Sequence, residues 1–184
     1  MLVTIAPGGE LLDRRHVDLT ERGLPTHPHH HEGSWAVGRY LNTPGARAIS
    51  LADAVALVER VRASAARGAR ESLEALAAAV HVPIATIALR VCPELPPTIE
   101  ERIADHRAQT YADTVMYRQA IASAAEARGW SVYWYDRDRV FHDAAAALGR
   151  EDIEAFLQEL GRSVGPPWQA KHKLAAAAAF AAAT

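Results

Sequence analysis

The chain has 184 residues, a formal net charge of -2 and a pI near 6.5, with 49% hydrophobic and 23% charged residues. This size favours one domain with a full core over two, and the balanced charge lacks the basic surplus usual in a dedicated nucleic-acid binder. A single cysteine, Cys92, excludes an intrachain disulfide and fits a reducing compartment.

The start of the chain has no charged segment followed by an apolar run, so no targeting segment is expected. The longest apolar stretch, Leu174 to Ala183, is about half of what a membrane span needs. A soluble, cytoplasmic protein with no membrane partner is expected. The heavy use of alanine and arginine suggests a GC-rich bacterial genome.

Leu2 to Ala6 reads as a strand, Pro7-Gly8-Gly9 as a turn, and Leu11 to Leu19 as the returning strand of an antiparallel hairpin. Residues 20–46 read as an irregular histidine-rich loop region, with Pro25, Pro28, Gly33 and Gly38 about the run from His27 to Glu32. Trp35 to Leu41 fits either a short third strand or a helical turn, and Arg47 to Ile49 a brief edge strand. Ser50 caps a helix with Asp53 as its partner. That helix is expected to run to Ala79 and to loosen at Gly68. Leu51, Val55, Val58 and Arg62 share one stripe of it, with Ala54, Leu57 and Val61 beside them.

Ile84 to Cys92 is apolar at nearly every position, the mark of a strand buried on both faces. At the end of that run Cys92 reads as a small buried hydrophobe. Thr98 and Glu101 form a capping box for the next helix, which continues, with a break near Gln109, to Arg128. Tyr117, Ile121 and Ala124 share a row on it. Gly129 ends it, and Ser131 to Asp136 is a second strand parallel to the first. Val140 to Leu148 and Glu151 to Leu160 are short helices. Gly165-Pro166-Pro167 opens a last one, with proline in its first turn and Trp168, His172, Ala175 and Ala179 on one stripe. Its alanines permit close approach of the N-terminal hairpin. The expectation is an α/β fold. It is a single domain over residues 1–184 with a mixed sheet, built from the antiparallel hairpin and a parallel βαβ unit, with helices on both faces.

The densest cluster of ligand-type side chains is His27, His29, His30, His31 and Glu32. Neutral imidazoles bind zinc, nickel or copper, and a carboxylate completes such a set. One reading is therefore a metal-dependent hydrolase using zinc or another transition metal. The other is a solvated or capping loop, because adjacent histidines point different ways and need convergence from His16, Asp18 or His172.

Ligands of open α/β sheets gather beyond the C-terminal ends of parallel strands, which here carry Arg90, Glu94 and Asp136. Arg90 interrupts an apolar strand and its permanent charge needs a partner, either a structural salt bridge or a bound anion. Asp136 to Arg139 reads as a self-paired turn. Asp113 is placed near a helix start, where the dipole favours a carboxylate. Tyr133, Trp134 and Tyr135 read as packing residues. Lys171, His172 and Lys173 are either a solvated helix face or contacts to a phosphate or an acidic partner.

This order of elements resembles the ribonuclease H-like superfamily, and within it the RuvC-type Holliday-junction resolvases, over nearly the whole chain. Ile5-Ala6-Pro7-Gly8 is similar to the family's first strand and turn, which ends in Asp-Pro-Gly. Ile87 to Arg90 sits where the family's central strand brings a glutamate, and Lys171-His172-Lys173 where its last helix brings an aspartate. The helix ending at Arg128-Gly129 and the strand from Ser131 to Asp136 are similar to the family's next helix and strand.

In the family those acids hold two divalent metals that activate water against a phosphodiester. In that register this chain has Ala6, Arg90 and Lys171 or His172. The resemblance therefore implies the fold without the two-metal nuclease. What it leaves is a binding or assembly module for an anionic ligand, nucleic acid or protein partner, using Arg90, Lys171, His172 and Lys173. A plain structural subunit, as a homodimer covering an edge strand, is the third reading.

Overall fold

A computed structural model describes residues 1–6 and 8–183. Pro7, placed in the first turn by the sequence, lies outside the described residues. In chain order the elements are β1 (Leu2–Ile5), β2 (Leu11–Arg15), a π-helical turn (His29–Gly33), α1 (Ser34–Ala36), α2 (Leu51–Ala79) and β3 (Thr86–Arg90). Then follow α3 (Ile99–Ala104), α4 (His106–Glu126), β4 (Ser131–Tyr135), α5 (Val140–Leu148), α6 (Ile153–Val164) and α7 (Ala170–Ala181). The α/β character expected of the chain is present. Among the described residues no helix is long and apolar enough to cross a membrane.

The chain's contacts gather into two compact units. The first contains residues 1–17, 73–91 and 125–183. Its β1 and β2 pair antiparallel, with Leu2 opposite Arg15 and Val3 opposite Arg14, and a bulge falls between Thr4 and Ile5. Gly9, at φ 90°, takes the left-handed conformation that this connection requires. β3 and β4 pair in parallel, Thr86 opposite Ser131 through Arg90 opposite Tyr135, so the βαβ unit is present.

The hairpin and the parallel pair are separate two-stranded sheets and not one mixed sheet. What joins them is α7. Ala176, Ala177, Ala178 and Phe180 on α7 are buried in one cluster with Val3 and Ile5 of β1 and Ala88 of β3. Alanine side chains are short enough for strands of both sheets to reach the same helix, so packing replaces a shared hydrogen-bond ladder.

The cluster continues into α5 and α6 through Val140, Ala144 and Leu157. Each fully buried Val, Leu or Phe there contributes roughly 1.5–3 kcal/mol. β3 is shorter than expected and is not buried on both faces: within it only Leu89 is fully buried, because a two-stranded sheet leaves much of its surface uncovered. α7 begins at Ala170 and not at the prolines. The Arg14 guanidinium donates to the carbonyls of Gly165 at 3.1 Å, Pro166 at 3.4 Å and Pro167 at 2.7 Å, which holds that segment outside the helix.

The second unit contains residues 18–72 and 92–124. Ser50 Oγ accepts from the Asp53 amide at 3.1 Å and donates to its carboxylate at 2.7 Å, starting α2 as the sequence indicates. The buried stripe of α2 in this unit is Ala54, Leu57, Val58, Val61, Ala65 and Ala69, whereas Leu51 is 41% exposed and Arg62 is exposed. α2 does not loosen at Gly68. A Cβ there would lie 2.5 Å from the Leu19 carbonyl oxygen, so glycine is required by close approach of the backbone.

Residues 34–36 are helical, and Arg47 to Ile49 form no strand. The Thr98–Glu101 capping box is present. The break between α3 and α4 falls at Asp105 and not at Gln109, because Asp105 Oδ1 accepts from the Ala108 amide at 2.9 Å and caps α4.

Candidate functional site

In the second unit the histidine run forms a widened turn. The Gly33 amide donates to the Pro28 carbonyl at 2.8 Å, five residues back, which is the π-helical pattern. The first amides of such a turn lack partners within it. Asp113 supplies them. Its Oδ1 accepts from the His29 amide at 3.1 Å and lies 2.8 Å from His29 Nδ1, while its Oδ2 accepts from the His30 amide at 3.1 Å. Asp113 is therefore not near a helix start. It sits within α4, is 2% exposed, and caps a different segment of chain.

With His29 Nδ1 directed at the Asp113 carboxylate, His29 Nε2 is buried and has no hydrogen-bond partner among the described residues. Beside this pair Ser34 Oγ donates to Gln109 Oε1 at 2.9 Å, and Gln109 Nε2 donates to the Ile103 carbonyl at 2.6 Å. Arg39 donates to Gln109 Oε1 at 2.9 Å and to the Ala104 carbonyl at 2.6 Å, closing the C-terminal end of α3.

The expected metal set is divided by burial. His29 and Glu32 are buried, His30 is half-buried, and His27 and His31 are exposed. Ring centres lie 5.6 Å apart for His27 and His31 and 5.4 Å apart for His30 and His31. Among the described residues no three His, Cys, Asp or Glu side chains are gathered so as to hold a metal ion.

The first unit holds Arg90, Lys171, His172 and Lys173. Arg90 ends β3 half-buried, and its guanidinium has no ion pair or side-chain hydrogen bond among the described residues. Asp136 Oδ1 accepts from the Asp138 amide at 2.8 Å, closing its own turn. Glu94 lies in the second unit and is exposed.

On α7 the three basic residues separate. Lys171 is exposed, Lys173 is half-buried, and His172 is 1% exposed. The His172 ring stacks on Trp168, with centres 5.8 Å apart and planes 19° apart, and the Trp168 indole N–H donates to the Leu157 carbonyl at 2.9 Å. His172 Nδ1 accepts from the Gln169 amide at 2.9 Å.

Burial holds the His172 pKa below its ordinary value, and the positive charges of Arg14 and Lys171 act in the same direction. The neutral ring, with Nδ1 accepting, must carry its proton on Nε2. That N–H is buried and has no acceptor among the described residues.

The sequence assigns no site role to Arg14, Trp168, Arg39 or Gln109. The periodic patterns mark faces of elements, whereas Arg14 acts on carbonyls about 150 positions away and Arg39 on Gln109 and Ala104 more than 60 positions away. Compared with family models, curated proteins and solved structures, the chain matches none.

Proposed function

We propose that the chain is a binding module for an anionic ligand, engaged at the first turn of α7 by His172 and Lys171. The observation that carries this reading is the buried Nε2–H of His172, which has no acceptor among the described residues and stands among the positive charges of Arg14 and Lys171. A buried donor without a partner costs about 1–3 kcal/mol. An anionic oxygen would satisfy it with a charge-assisted hydrogen bond, and Lys171 would add its charge from the exposed side of the same turn. Lys173 and Arg90 extend the basic character of this unit. Arg14 contributes charge only, since its donors are already engaged by carbonyls.

A degenerate ribonuclease H-like origin belongs to the same proposal. Its support is the order of hairpin, long helix and parallel pair, with Ala6, Arg90 and Lys171 or His172 where the family has acids. Such positions do not assemble two divalent cations, so binding without two-metal cleavage is the activity expected. Nucleic acid is the first macromolecular ligand to try.

The test combines fluorescence anisotropy, using labelled junction, duplex and single-stranded DNA at low salt, with ¹⁵N NMR of the imidazoles during titration with inorganic phosphate. The expected result is saturable binding that Lys171→Ala weakens about fivefold, the equivalent of ~1 kcal/mol, and a shift of the His172 Nε2 resonance. A phosphate response without DNA binding would restrict the ligand to small anions. Silence in every titration would sink the proposal.

A further inference from the structure

We infer that His27 and His31 chelate a divalent transition-metal ion at the surface of the second unit, a two-imidazole site independent of the anion-binding reading. The π-helical turn sorts the histidines of the run by role. His29 is withdrawn into the interior by Asp113. His27 and His31 remain exposed, and the His31 amide donates to the His27 carbonyl at 2.9 Å, which sets their side chains one helical turn apart.

Their ring centres are 5.6 Å apart. Zinc–imidazole bonds of about 2.0–2.1 Å place the ring centres of two ligands about 5 Å apart at a tetrahedral ion, so the observed spacing is close to that of a chelate. Each ring has one further contact. His27 Nδ1 shares a hydrogen bond of 2.8 Å with Thr26 Oγ1, leaving its Nε2 for the metal. The His31 ring stacks on Trp35 with planes 15° apart.

Two protein ligands with water in the other positions make an open site. An imidazole pair follows the usual order of affinities, with Cu²⁺ ahead of Ni²⁺ and Zn²⁺.

Calorimetric titration of the untagged full chain with Cu²⁺ and then Zn²⁺ tests this. One equivalent of Cu²⁺ is expected to bind more tightly than Zn²⁺. His27→Ala and His31→Ala should each weaken Cu²⁺ binding at least about tenfold. Both side chains are exposed, so these variants should keep the wild-type circular dichroism. His106→Ala, which removes an exposed histidine outside the pair, should leave the affinity unchanged. No binding of Cu²⁺, wild-type affinity in either pair variant, or an equal loss in His106→Ala would overturn the inference.

Discussion

Replacing Asp113 with alanine is expected to be the most damaging single change in the second unit. The carboxylate is 2% exposed and meets three donors: the amides of His29 and His30 and the His29 ring nitrogen. Each of these three donors left buried without an acceptor costs about 1–3 kcal/mol. Water entering the space left by the side chain offsets part of that sum, so a net loss of about 3–5 kcal/mol is expected. In a chain of this length each kcal/mol lowers the melting temperature by about 2–4 °C, so the midpoint should fall by at least roughly 6 °C.

Asp113→Asn separates charge from shape. It keeps one acceptor but turns an NH2 group toward a backbone amide, and should cost about 1–3 kcal/mol. Urea denaturation followed by circular dichroism measures both variants. A loss under about 1 kcal/mol for Asp113→Ala would refute the view that this carboxylate holds the histidine turn.

Four further outcomes follow from other contacts. Gly68→Ala gains about 1 kcal/mol of helix propensity in an open helix. Here the new Cβ meets the Leu19 carbonyl oxygen at 2.5 Å and its Cα at 2.9 Å, so a net loss of about 1–3 kcal/mol is expected, and a raised melting temperature would contradict it. Gly161→Ala puts a Cβ into the Trp168 ring and should quench or shift tryptophan fluorescence while lowering stability; an unchanged spectrum would count against the stacked arrangement.

The lowered pKa of His172 means that the unfolded chain takes up this proton first as the pH falls. Its contribution to stability is therefore complete above the unfolded value near 6.5 and is lost progressively as the pH falls from there toward the folded value. The melting temperature of His172→Gln should depend less on pH between about 7.5 and 5 than that of the wild type, and parallel curves would be evidence against it. Among the described residues both two-stranded sheets have outer edges not paired with another strand, so self-association through an edge is expected; a monomer mass by light scattering across the accessible concentration range would exclude it.

Local signals in the sequence are legible where a short-range rule decides the outcome. The caps at Ser50 and Thr98 need only residues three apart, and both form as read. Gly149 ends α5 at φ 61°, and the parallel pairing of Ser131–Tyr135 with the strand before it follows from the βαβ order.

The misreadings arise where distant chain decides. The apolar run Ile84 to Cys92 looks like a central strand, but among the described residues it pairs with β4 alone. Leu51, Val55, Val58 and Arg62 share a stripe, yet of these only Val58 is buried, while Ala54, Leu57 and Val61 beside them all face the unit's interior. Asp113 is spaced like a surface carboxylate, and only its meeting with His29, 84 positions away, reveals its role.

A candidate site is better judged by which charges remain free than by how many are present. Arg14 is engaged by three carbonyls, Arg39 by the end of α3 and by Gln109, and Arg102 by the carbonyls of Pro96 and Pro97. A guanidinium in such a clamp fixes a loop or closes a helix end, and binding a ligand with it would break that structure. The same reasoning places His29 with the structural residues, since Asp113 holds its ring as well as its backbone. The His29 and His172 rings both keep a buried nitrogen with no partner among the described residues, but His172 is hydrogen-bonded only within its own turn and its Nδ1 accepts, so its other nitrogen carries a proton that an anion could take up without dismantling a hydrogen bond. That asymmetry, and not the density of basic residues, is the reason for locating the binding activity at the first turn of α7.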